Sequence, residues 1–304
     1  TELVNTTEIW CVPMVNPDGH QWVEDIDPWW RKTLYDHDQD HHVDDYEGID
    51  PNRNYDWHWD PGYWSDQTYG GPYPFRAPEV AAMRDLHNAH RPAINPSYHS
   101  YGEVVLYPFG YGVLGEPAVI EVASEYASLI GYDPEQSTTA HGSSKDWLYG
   151  TVGTVSFTVE TATTFIPSGP TMEAIVQQLL PGSLWLTERL WGPSIHGTVT
   201  DSITGMPLEA TIHIPEIMDV YGGGELWDMV TEAATGYFCR MCTDTPQDLT
   251  LEVSAEGYFS KSIPVTTSGE EATVLAIELV PESFDRGFVQ GTVTNETAGG
   301  TPVP

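Results

Sequence analysis

Apolar positions in the first two thirds of the chain recur in two rhythms. From Pro117 to Ile130, the residues Ile120, Ala123, Ala127 and Ile130 return at helical spacing, and Gly131 follows as a stop. Pro78 to His90 also reads as a helix, entered through a proline suited to a first helical position. Thr171 to Trp191 is helical in character, with Pro181 marking a break or a new start. Between these lie apolar runs of strand length: Ile9 to Val15, closed by the turn Asn16-Pro17-Asp18-Gly19, then Ile94 to Ser100, then Thr154 to Glu160. Helices alternating with strands over residues 1–191 predict an α/β domain.

The rhythm changes near Gly192-Pro193. Beyond it, short alternating segments such as Ile195 to Thr200 and Ala210 to Ile214 are separated by turn clusters, which predicts a small all-β sandwich over residues 192–281. The string His196-Gly-Thr-Val-Thr-Asp, with Gly205-Met-Pro-Leu208 after it, recurs as Gln290-Gly-Thr-Val-Thr-Asn and Gly300-Thr-Pro-Val303. Residues 282–304 therefore read as a linker and the start of a second β-module.

Composition narrows the function. The 304 residues carry 45 acidic and 11 basic side chains, a formal net charge of −34. A surface of this sign repels nucleic acid and anionic membranes and suits saline surroundings or cation binding. No apolar run approaches the ~18 residues of a membrane span. Three cysteines, Cys11, Cys239 and Cys242, make no disulfide framework. Cys239 and Cys242 have CxxC spacing without a second such pair, and read as ordinary strand cysteines.

Four stretches carry chemistry. They are Val12-Pro-Met-Val-Asn-Pro-Asp-Gly19; Trp30-Arg-Lys-Thr33 with Gly48-Ile-Asp-Pro-Asn-Arg-Asn54; His99-Ser-Tyr-Gly102 with Leu106-Tyr-Pro-Phe-Gly-Tyr111; and Gly142-Ser-Ser-Lys-Asp-Trp147 with Ser156-Phe-Thr-Val-Glu160. In order and spacing they resemble the zinc metallocarboxypeptidases of the carboxypeptidase A/B type, over most of residues 10–165. The resemblance implies part of a carboxypeptidase domain, a mixed sheet flanked by helices, acting on peptide or protein C-termini with a zinc cofactor. It implies that Asn52 and Arg53 grip the substrate's terminal carboxylate, a task suited to a planar, permanently charged fork. Arg31 then supports the oxyanion, Glu160 acts as general base, Tyr101 lines the cleft and His99 is a zinc ligand. Partial burial of Glu160 at its strand end should raise its pKa. The family's other two ligands come from an upstream His-x-x-Glu motif that is not found here, so the chain is expected to begin after it. His87 and His90 lack the accompanying Glu and read as an exposed helix face. Counting back from Asp146 puts Thr138 where the family has a mobile Tyr, and no Tyr is assigned that role.

Lys145 stands where the family floors the pocket for the last side chain, so acidic C-terminal residues are expected to be preferred unless this lysine swings to solvent. Residues 36–47 follow the 12-residue EF-hand pattern, with Asp36, Asp38, Asp40, His42, Asp44 and Glu47 as possible calcium ligands and His41 where a glycine is usual. A solvated acidic insertion is the alternative. Residues 192–281 resemble the transthyretin-like or carboxypeptidase-regulatory sandwich through Gly197-Thr-Val-Thr-Asp, Gly236-Tyr-Phe and Val253-Ser-Ala-Glu-Gly-Tyr258. The family implies a secreted or extracellular setting. Two rival readings remain: an inactive carboxypeptidase-like binding protein, and a multi-domain surface protein in which the β-modules are the working part.

Overall fold

The computed structural model describes residues 2–44, 46–112, 115–136, 140–283, 294–295 and 301–302. The first part runs α1 (Glu2–Thr6), α2 (Pro17–Asp25), a 3-10 turn (Pro51–Arg53), α3 (Pro78–His90), β1 (Ile94–Ser100), β2 (Val104–Tyr107), α4 (Pro117–Ile130), β3 (Asp133–Gln136), α5 (Ser144–Trp147), a π turn (Leu148–Val152), β4 (Val155–Thr161) and α6 (Gly169–Arg189). The sheet is mixed, in the order β1-β4-β2-β3. The β1–β4 and β2–β3 pairs are parallel, and β2–β4 is antiparallel. β4 is internal to the sheet and its first five residues are buried, so the polar Ser156 and Thr158 of its alternating pattern are covered as fully as Val155, Phe157 and Val159.

Helices α4 and α6 cover the sheet. They meet at Gly182, where a Cβ would lie 2.5 Å from Ile130 Cγ2 and 2.7 Å from Tyr126 Cε2. Gln178 Nε2 donates to the carbonyl of Ile130 at 2.7 Å, and Gly131 ends α4 in a left-handed conformation.

Several expectations change. Ile9–Val15 forms no strand. It is irregular chain, bent at Pro13 and Val15, with exposed side chains and no ladder partner among the described residues, and a strand exists only through its neighbours. Asn16-Pro17-Asp18-Gly19 opens helix α2 rather than a bare turn: Asn16 caps it by accepting from the Gly19 amide, and Pro17 fills the first turn. Pro181 does not interrupt α6, which is continuous through it. The packing of this helix on α4 outweighs one missing N–H. His87 is buried, not exposed: it bonds the Met83 carbonyl at 2.6 Å.

The second part comprises β5 (Ser194–Asp201), β6 (Thr211–His213), α7 (Pro215–Met218), a 3-10 turn (Gly222–Gly224), β7 (Met229–Val230), β8 (Tyr237–Met241), β9 (Asp248–Ser254), β10 (Lys261–Thr266) and β11 (Thr273–Leu279). Two sheets, β10-β9-β6-β7 and β11-β5-β8, enclose a core that includes Ile195, Val199, Ile212, Leu251, Val253, Phe238 and Ile277. Short strands β12 (Thr294–Asn295) and β13 (Thr301–Pro302) pair antiparallel where the repeat resumes; most of that repeat, like Thr138, lies outside the described residues. Cys239 and Cys242 are buried and unbridged, and burial pushes their thiols up to about 12 and about 11. Cys239 and Met241 belong to the core of the first part, so packing does not stop where the sequence pattern changes.

Candidate active site

β1 and β4 lie side by side, and their register pairs His99 with Glu160. Both residues stand at the carboxyl ends of parallel neighbours and therefore on one face, the place where open sheets take ligands. The chain then turns at Gly102, whose Cβ, if present, would sit 3.3 Å from the Glu160 Cβ. Burial pushes the Glu160 carboxyl above its ordinary value, while Arg31 and Arg53 pull it back. Its Oε2 is buried with no hydrogen-bond partner. Burial likewise pushes the His99 imidazole down to about 4, against the pull of Asp50 and with the repulsion of Arg31 and Arg53. His99 is thus neutral at working pH, with Nε2 3.1 Å from the Ser97 hydroxyl.

Asn52 and Arg53 are presented by the 3-10 turn that follows the buried Asp50. One Asp50 oxygen accepts the Asn52 amide at 3.0 Å and the other accepts Arg31 Nη2 at 2.7 Å. Arg53 Nη1 donates to the Asn52 carbonyl at 2.7 Å. The Asn52 side-chain oxygen accepts the Ser144 amide at 2.9 Å and its hydroxyl at 3.1 Å. Three separated stretches, around residues 31, 52 and 144, are tied together by these bonds. Sequence reading missed Asp50; its signal was the Asp-Pro-Asn start of a capped turn. Lys32 next door is fully buried, donating to the carbonyls of Tyr46 at 2.8 Å and Asp66 at 3.0 Å.

Lys145 does not swing to solvent. It is 2% exposed and its Nζ lies 2.5 Å from Asp146 Oδ1, while Asp146 Oδ2 accepts the Gly110 amide at 2.9 Å. Burial pushes the ammonium below its ordinary value, with Asp146 opposing. The Ser143 hydroxyl beside it is buried and unpartnered. Tyr101 is exposed and meets Phe165 edge-on, ring centres 4.5 Å apart; Phe165 meets Trp29 edge-on at 6.1 Å. Phe165 and Trp29 were not singled out from sequence, where an exposed loop aromatic has no periodic signature.

The acidic loop gathers part of its set. Asp36, Asp38 and Asp40 can offer oxygens within 4.8 Å of one another. Glu47 does not join them: it accepts the amides of His37 at 2.7 Å, Asp38 at 3.3 Å and Asp44 at 3.0 Å, and so closes the loop itself. His42 and Asp44 also stay outside the cluster. His41 adopts a φ of 70°, the left-handed conformation for which glycine is usual.

A family model described as zinc carboxypeptidase matches residues 1–181. The chain belongs to the zinc carboxypeptidase family. Among curated relatives of this carboxypeptidase chain, human carboxypeptidase A6 is 31% identical over 49% of the chain and 37% of the relative. Carboxypeptidase B of Astacus astacus is 29% identical over 52% and 58%, and human carboxypeptidase B is 30% identical over 53% and 42%. The chain thus spans between 37% and 58% of the length of these relatives. Among solved structures, thrombin-activatable fibrinolysis inhibitor superposes with a TM-score of 0.53 and 26% identity, covering 61% of this chain and 54% of the other. Carboxypeptidase A from Helicoverpa armigera, at 0.51 and 23% over 59% and 50%, shares the fold.

The family implies zinc. A neutral imidazole is the right donor. One donor does not hold the ion, however, and among the described residues no set of three His, Cys, Asp or Glu side chains gathers around His99. The residues present do not by themselves make a zinc site in this carboxypeptidase chain.

Proposed function

We propose that this chain carries the substrate-reading side of a zinc-dependent metallocarboxypeptidase that hydrolyses C-terminal peptide bonds. The observation that supports it is the pairing of His99 with Glu160 at two strand ends, both within the electrostatic reach of Arg31 and Arg53. In this reading Arg53 and Asn52 take the terminal carboxylate through a fork of charge-assisted bonds. Arg31 stabilises negative charge developing on the scissile carbonyl oxygen. Glu160, its basicity raised by burial, accepts a proton from the attacking water. His99 is one zinc ligand, completed by donors other than the described residues, and Tyr101 flanks the substrate.

The finer reading is a preference for acidic C-terminal residues, supported by a buried ammonium at Lys145 close enough to feel Arg53. A substrate carboxylate entering here competes with Asp146 for that ammonium. Residues 192–281 are read as a transthyretin-like module, residues 282–304 as a linker into the next, and the setting as extracellular. Calcium at Asp36, Asp38 and Asp40 is supported by their approach and by the His41 backbone; calorimetry that shows no heat at millimolar calcium disposes of it.

The test uses peptides ending in Glu, Phe or Lys, and an amidated control. Calorimetry on the 304-residue chain should show binding only to free carboxylates, weakened by Arg53→Ala about 10- to 100-fold, the worth of one charge-assisted contact. Equal binding of the amidated control sinks the reading. A preference for Phe that Lys145→Ala leaves unchanged sinks the acidic specificity alone. In the enzyme with zinc bound, Glu160→Gln should lower kcat about 10²- to 10⁴-fold with little change in KM. The rival, a carboxylate-binding protein without zinc, predicts peptide binding with no metal bound.

A further inference from the structure

Arg240 lies on β8 of the sandwich, yet its guanidinium is buried inside the carboxypeptidase part. Nη2 donates to both oxygens of the buried Glu116 at 2.6 and 2.7 Å and to the Tyr149 hydroxyl at 3.2 Å. Nη1 donates to the Gly153 carbonyl at 3.2 Å, and the guanidinium carbon sits 5.4 Å from the centre of the Tyr149 ring. Tyr149 lies in the π turn and Gly153 closes it; the turn directly follows Lys145, Asp146 and Trp147 and leads into β4, the strand that carries Glu160 near its end.

Other bonds reach the same turn from the same side. The Trp227 amide donates to the Gly150 carbonyl at 2.8 Å, and a Cβ on Gly153 would meet Met229 Cγ at 3.0 Å. Elsewhere along the contact, Arg189 Nη2 donates to the Cys242 carbonyl at 2.7 Å, and the Asp244 amide donates to Glu121 at 3.0 Å. π turns are rare and are often found at functional sites. The carbonyls of Leu148 and Tyr149 are bonded within this turn, and the sandwich supplies the donors for those of Gly150 and Gly153.

We infer that Arg240, paired with Glu116, is a positioning residue for the substrate pocket. The sandwich acts as a brace that fixes the turn behind Lys145, so that the pocket floor keeps one geometry. This rests on the carboxypeptidase reading above for what the pocket binds, but the brace itself can be tested apart from it.

A buried ion pair stripped of one partner leaves an uncompensated charge, so Arg240→Ala alone is strongly destabilising; the informative variant is therefore the neutral double substitution Glu116→Gln with Arg240→Met, which keeps volume without charge. Two measurements are made on the 304-residue chain. Amide hydrogen exchange should accelerate about tenfold or more at residues 148–153, the loss expected for charge-assisted bonds, while the centre of β4 keeps its protection. By calorimetry, the ratio of affinities for peptides ending in Glu and Phe should fall about tenfold toward unity. The charge swap Glu116→Arg with Arg240→Glu should recover part of both. Exchange at 148–153 that rises no more than in the rest of the core, with an unchanged affinity ratio, overturns the brace. Wild-type chain that binds neither peptide overturns the proposed function instead, and the exchange pattern then decides the brace alone.

Discussion

Asp50 commits one carboxylate oxygen to Arg31 and the other to the Asn52 amide, so two groups 19 and 2 residues away in sequence are positioned by a single buried side chain. Asp50→Asn keeps the shape and removes the charge that faces Arg31. It should cost about 1–3 kcal/mol in chemical denaturation, since Arg31 is partly solvated, and loosen both groups together. Burial holds the His87 imidazole below its ordinary 6.5. A histidine depressed in the folded state is neutral there while the unfolded chain takes up protons. Its stabilisation is complete above 6.5 and declines as the pH falls below that value. The melting temperature should therefore drop from pH 7 to pH 5, and less so in His87→Gln. At this scale the sequence was uneven. His99, Glu160 and the Asn52–Arg53 pair stood out because their motifs are local. Asp50 did not, because its bonds depend on how distant loops meet. His87 was misread although Val80, the other buried residue of α3, lies two turns away on the same face.

Elements were legible where apolar spacing was strong. Helices α3 and α4 keep their expected limits, and β4 begins one residue later than expected. β3 was invisible because Asp133-Pro-Glu-Gln136 is polar and mostly exposed at a sheet edge; its pairing with β2 makes it a strand, not its composition. Ile9–Val15 failed in the opposite sense, with strand-like composition and no pairing among the described residues. The α4–α6 contact turns on one missing methyl. Gly182→Ala should drive Ile130 and Tyr126 away and cost about 1–3 kcal/mol by urea denaturation, although alanine is the better helix former. An unchanged or raised midpoint would show that the two helices slide apart freely.

Over the whole molecule, burial takes charges of both signs out of solvent. Lys32, Lys145, Arg189 and Arg240 are buried, but so are Glu47, Asp50, Glu116, Asp146 and Asp201, so the surface keeps nearly all of the net charge of −34. Mutual repulsion over such a surface is screened by salt, with a Debye length of ~10 Å at 0.1 M and ~3 Å at 1 M. The melting temperature should therefore rise as NaCl is increased from about 0.02 to about 0.5 M, a range over which that length shrinks severalfold. A flat or falling curve would place the acidic groups too far apart to matter.

Of the three lysines, two are sealed inside and only Lys261 is exposed. An amine-reactive dye on the native protein should consequently attach at the α-amino terminus and Lys261, and attachment at Lys145 would register each opening of the packing that seals Lys145 against Asp146, giving a chemical clock for that motion.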